Sequence, residues 1–189
     1  MKANFVGLEL SNSSWNILGK VVKDTLLDYI NLEKLSEFNN GSIYETQPHI
    51  TLIYNKSLNK GPNWLDWFIT IKHRDLYKEL VTIGEVSVPK VTINTFNNLD
   101  SRILKFSLVD CNILDICRQY NTYLNELPLE ESTYKIYKPH LTITYLKPDT
   151  PDKVIEDFKS KLILNDFQSF KLENILISNS ESEFKIKIE

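Results

Sequence analysis

Two of the 3 histidines in this chain sit in near copies of one short pattern. Residues 48–52 read PHITL and residues 139–143 read PHLTI, so the two histidines lie 140 − 49 = 91 positions apart. On a strand, side chains at i and i+2 point to the same face, roughly 6–7 Å apart. His49 and Thr51 therefore share a face, as do His140 and Thr142. An imidazole titrates near neutral pH, so one can accept a proton while its counterpart donates one. A threonine hydroxyl is a short, stiff donor suited to a non-bridging phosphate oxygen. Brought face to face, the four side chains form an acid–base pair and a cradle for a phosphodiester, each proton transfer contributing about 10²–10⁴ in rate. A single histidine on a half-buried strand more simply satisfies a local hydrogen bond; two matching copies turn the reading toward function. Two histidines without neighbouring carboxylates or thiolates make a poor metal site, and no His-Glu-x-x-His or Asp-rich cluster occurs, so neither a metal nor a cofactor is expected. The third histidine, His73 in IKHRD, reads as a surface residue.

The elements that must position these groups can be read in order. Residues Asn4–Leu10 alternate as a first strand, with Val6, Leu8 and Leu10 on one face and Phe5, Gly7 and Glu9 on the other. SNSS offers N-caps to a helix through WNILGKVVKDTLLDYINLEKL, and FNNGS breaks the pattern. HITLIY is a short strand. Strand parity turns Ile50, Leu52 and Tyr54, like Leu141, Ile143 and Tyr145, toward the covering helices, so both tyrosines are expected in the core. Residues 56–77 suggest a loop with a short helix packing Trp64 and Trp67, or a lid carrying them. ELVTIGEVSVPKVTINTF and RILKFSLV read as two or three strands. Asp110 is the expected cap of a helix over CNILDICRQYNTYLNEL. HLTITYL repeats the motif strand, TPDKVIEDFKSKL is a further helix with Thr150 as cap and Pro151 in its first turn, and the tail reads as a hairpin. Strand, helix, motif strand and further strands thus come twice. An α+β fold is expected, a single bilobal domain over residues 1–189 whose two pseudo-symmetric halves line a central cleft with antiparallel sheets, helices outside.

Composition limits the partners. Hydrophobic residues make up 42% and charged residues 25%, enough for a real core, and no apolar run approaches membrane-spanning length. The N-terminal residues lack a signal peptide's apolar stretch, and Cys111 and Cys117, six apart, read as reduced, packed thiols; a cytoplasmic setting is expected. A net charge of −3 argues against gripping a long nucleic acid and for a small anionic ligand in a locally basic pocket.

PHITL and PHLTI resemble the paired His-x-Thr motifs of the 2H phosphoesterase superfamily, and the likeness extends to FVGLEL, the helix after it, and RILKFSLV ahead of the next helix. The resemblance spans most of the chain, least so residues 56–77 and the last fifteen or so. It implies metal-independent cleavage or transfer at nucleotide phosphodiesters. Members include RNA ligase-like and 2′,3′-cyclic phosphodiesterases, enzymes that degrade 2′-5′ oligoadenylate, and viral anti-CBASS enzymes that hydrolyse cyclic oligonucleotide messengers. HITLIY and YKIYKPHLTITY look most similar to the last group, so a 3′,5′-linked cyclic oligonucleotide is the expected substrate. RNA 2′,3′-cyclic ends or 2′-5′ linkages are the enzymatic alternative, and a nucleotide-sequestering module is the non-enzymatic one. His49 and His140 are then acid and base in unassigned order, and Thr51 and Thr142 hold the phosphate. Three further candidates stand around them: Lys138, sharing parity with His140, for phosphate; Phe5 for stacking on a base; and Glu173 for reading a base edge.

Overall fold

The computed structural model describes residues 5–39, 48–54, 66, 68–69, 71, 75–87, 92–98, 100–109, 111–126, 136–165, 167, 169–178 and 183–189. In chain order the elements are β1 (Phe5–Leu10), α1 (Asn12–Leu26), a 3₁₀ turn (Leu27–Tyr29), α2 (Leu32–Asn39), β2 (His49–Tyr54) and α3 (Asp75–Ile83). There follow β3 (Glu85–Ser87), β4 (Thr92–Asn98), β5 (Ser101–Ser107), α4 (Leu114–Asn125), β6 (His140–Leu146), α5 (Asp152–Leu164), β7 (Ser169–Ser178) and β8 (Glu183–Lys187). Asp110, His73, Trp64 and Trp67 lie outside the described residues.

The strands form one antiparallel sheet in the order β3-β7-β1-β2-β6-β5-β4, with β8 sharing the outer edge of β7 with β3. The order is symmetric about its middle: β1 beside β2 on one side matches β5 beside β6 on the other. The halves meet at β2 and β6, where one Cα pair is in register, Ile50 with Leu141. A single apolar cluster runs under both halves, from Val6 and Leu8 through Leu52 and Ile143 to Phe106 and Phe158. The helices cover it: α1 lies on α5, α2 on β6 and α4 on β2. Among the described residues, no helix is long and apolar enough to cross a membrane.

Several expected boundaries move, each for a local reason. The long first helix stops at Leu26, because Ile30 bridges Leu146 of β6 and the Asn31 N–H donates to Tyr145 O. The Asn31 side chain then caps α2 by accepting from the Lys34 N–H at 3.1 Å. Residues 79–83 are the end of α3 and not a strand. Leu76 and Leu80, at i and i+4, bury one helical face, and Gly84 stops the helix at φ 62, a left-handed turn that costs glycine little. At the start of α5 the N-cap is Pro151, while the Thr150 hydroxyl donates back to Lys147 O. Ser11 caps α1 as SNSS suggests, accepting from Ser14 N.

Candidate active site

Both motif strands carry a bulge one residue beyond the threonine. Along β1 and β2, Gly7 pairs with Thr51 but Val6 with Ile53, so Leu52 has no partner. Along β5 and β6, Lys105 pairs with Thr142 but Leu104 with Thr144, so Ile143 has none. A bulge inserts one residue and reverses the parity beyond it. Leu52 and Ile53 are accordingly both buried, as are Ile143 and Thr144. Tyr54 and Tyr145 come round to the histidine face, opposite Phe5 and Ile103, where both are half-buried, Tyr145 keeping contact with the core. Their expected place beneath the helices is corrected by that extra residue. The Leu52 carbonyl, turned out of the ladder, accepts from Asn121 Nδ2 on α4 at 2.6 Å.

The register across the seam arranges the motif residues. With Ile50 opposite Leu141, antiparallel pairing sets His49 opposite Thr142 and Thr51 opposite His140, on the face away from Ile50 and Leu141. The four side chains thus occupy the corners of one patch, with the histidines on a diagonal of roughly 7–8 Å between Cα atoms. Tyr137, half-buried ahead of the second motif, reaches across the seam and donates from Oη to Thr51 O at 2.9 Å. The Cys117 thiol of α4 is hydrogen-bonded to the same phenol, and burial, then the neighbouring Cys111, push that thiol well up, so it stays a protonated, packed group.

The surroundings of the two histidines differ. His140 Nδ1 lies 2.9 Å from Lys138 O; a carbonyl can only accept, so Nδ1 carries the proton and Nε2 is the acceptor of the neutral ring. Burial pushes the His140 pKa below the ordinary imidazole value; the bond to Lys138 O pulls it up in part, and the Lys105 charge pushes it down again, leaving it lowered. Lys105, opposite Thr142, holds its Nζ 4.7 Å from the centre of the Phe96 ring. Phe96 in turn meets His140 edge-on at 6.4 Å. Burial, then the Lys138 charge, lower the Lys105 pKa.

His49 instead packs edge-on against Phe5, ring centres 4.8 Å apart. Gly7 makes room for that ring: a Cβ there would stand 2.6 Å from Phe5 Cζ. Opposite His49 in the ladder is Glu9, 8% exposed, whose two carboxylate oxygens accept from Asn174 Nδ2 and Lys185 Nζ, each at 2.7 Å. Burial alone would lower the Lys185 pKa, but its hydrogen bond and charge interaction with Glu9, and then Glu183, outweigh it and raise it. Glu173 is the bulged residue between Leu172 and Asn174, and it is Asn174 that stands beside Glu9.

The candidates His49, Thr51, His140, Thr142 and Phe5 therefore come together, with Lys138 contributing its carbonyl and an exposed ammonium. Sequence reasoning missed Glu9, Asn174, Phe96 and Lys105. Aligning FVGLEL with ILKFSL would have found one of them, since it sets Lys105 where the first half has Gly7. Among the described residues, no group of three or more His, Cys, Asp or Glu side chains gathers in metal-ligand fashion.

No family model and no curated protein matches the sequence. The fold is that of solved structures of Usb1 from Kluyveromyces marxianus. One is similar at TM-score 0.52 and 10% identity over 97% of this chain and 96% of that one. A second, with uridine monophosphate, is similar at TM-score 0.54 and 10% identity over 97% of each chain.

Proposed function

We propose that this chain is a phosphodiesterase of the 2H type, working without a metal on a ribonucleotide phosphodiester, with His140 as base and His49 as acid. The single observation that carries the reading is the antiparallel register in which each motif histidine faces the other motif's threonine. Burial and Lys105 favour neutral His140, and its Nδ1–H bond to Lys138 O leaves Nε2 free to take the proton of the attacking hydroxyl, from water or from the ribose. His49, beside the Glu9 carboxylate, gives a proton to the leaving oxygen as the P–O bond breaks. The Thr51 and Thr142 hydroxyls donate to the non-bridging oxygens as charge builds there.

The likeness to Usb1, one structure of which was solved with uridine monophosphate, supports a short ribonucleotide substrate. The cyclic-oligonucleotide reading leans on the texture of YKIYKPHLTITY, of which residues 134–135 lie outside the described residues, and gains nothing from the fold likeness. Incubating the protein with a uridine dinucleotide, RNA bearing 2′,3′-cyclic ends, 2′-5′ oligoadenylate and cyclic di- and trinucleotides, all in EDTA, tests the proposal. Turnover of the RNA substrates is expected. Turnover that EDTA abolishes would sink the metal-free mechanism, and tight binding without products would make the protein a sequestering module.

A further inference from the structure

The charges around the two histidines do not balance in the same way. Near His49 the cation is already matched: Lys185 donates to Glu9 at 2.7 Å and lies 3.6 Å from Glu183. Near His140 two ammonium groups stand with no carboxylate paired to either among the described residues. Lys105 is opposite Thr142, and Lys138, exposed, precedes His140 by two residues and accepts from its Nδ1 through the backbone carbonyl. Lys105 is held in place by the face of Phe96 instead of by an acid. Burial, and after it the charge of Lys138, lower the Lys105 pKa, so Lys138 stands near enough to act on Lys105 through space. A scissile phosphodiester carries one negative charge, and two uncompensated ammonium groups exceed it.

We infer that Lys105 and Lys138 form a subsite for a second phosphate, next to the scissile one on the His140 side, so that the substrate is a nucleotide chain or a bisphosphorylated nucleotide and not an isolated monophosphate diester. This rests on the proposed phosphodiesterase reading and adds a direction to it. The substrate lies across the sheet with its extra charge over β5 and β6, and its less charged portion toward Phe5 and the matched Glu9–Lys185 pair. Phe96 is the positioning residue of the subsite, since it aims Lys105 and meets His140 by its edge.

Calorimetric binding of uridine monophosphate and uridine 3′,5′-bisphosphate to the whole chain tests the inference apart from turnover. The wild-type protein should bind the bisphosphate about ten-fold more tightly, with the preference shrinking as salt is added. K105Q and K138Q should each bring the ratio of the two affinities toward one. K23Q, an equal loss of charge on α1 across the core, should leave the ratio as it is. Lys138 is exposed, so K138Q tests the subsite even should K105Q fold poorly. A wild-type ratio near one, a ratio that K138Q leaves intact, or failure to bind either ligand would overturn the inference. Turnover with a ratio of one would overturn the subsite alone; a ten-fold ratio without turnover of any phosphodiester would sustain the subsite and sink the phosphodiesterase.

Discussion

The two halves of the sheet share a backbone and divide over side chains. In each, the chain at the end of the strand beside the motif donates to the proline carbonyl ahead of the motif histidine, Leu10 N to Pro48 O at 2.8 Å and Leu108 N, just past β5, to Pro139 O at 3.2 Å. In each, the bulge follows the threonine and turns a tyrosine back to the histidine face. Yet the residue opposite the threonine is Gly7 in one half and Lys105 in the other, and the residue opposite the histidine is Glu9 in one and Ser107 in the other. Backbone geometry sets where the imidazoles sit; burial first, and the Lys105 charge after it, push His140 toward the neutral form, while His49 has a carboxylate opposite it in the ladder. A pair of identical surroundings would give two equal imidazoles, whereas acid–base cleavage needs one of each kind.

The sharpest way to break the comparison is to remove each imidazole. H49A and H140A should each lower kcat on a dinucleotide by about 10²–10⁴. An unaffected rate in either would show that the halves do not act as a pair. Next comes pH. With neutral His140 as base, kcat/KM should rise with pH through a limb lying below the ordinary imidazole value, since burial and then Lys105 lower that pKa. K105Q removes one of the lowering causes, so the limb should move to higher pH; a profile unchanged in K105Q would assign the limb to another group. On the opposite half, E9A leaves Asn174 and Lys185 without their buried acceptor and should cost about 1–3 kcal/mol in urea unfolding. S107A, at the matching position, loses one exposed bond to Asn94 and should cost well under that. The effect expected from G7A falls between those two. The added methyl displaces the Phe5 ring, read as loss of its ring-current shift at the His49 protons, with about 1 kcal/mol of destabilisation.

The motif residues and the order of elements were legible because they depend on residue type and on periods of two and 3.6. Parity failed at Tyr54 and Tyr145, since nothing in HITLIY or HLTITYL announces an extra residue; the bulge is a property of pairing with β1 and β5. ELVTI misled because β-branched residues favour a strand, and burial of Leu76 and Leu80 decided for helix. Lys105 was hidden by its neighbours: a lysine in an apolar strand announces a polar face, but only the ladder to Thr142 says which one. Glu9 was placed on its correct face, though its partners arrive from β7 and β8, more than 160 residues later in the chain.

The seam between β2 and β6 has a mechanical meaning. Among the described residues, one registered pair, the phenol of Tyr137 and the Asn121 amide on the Leu52 carbonyl join the halves near the motifs, above the shared core. A phosphate gripped by a threonine from each side would act there as a rivet, adding about 2.7 kcal/mol to cohesion at a hundred times its dissociation constant. Occupancy would then be audible in the melting temperature, and the cargo would tighten the very joint that holds it.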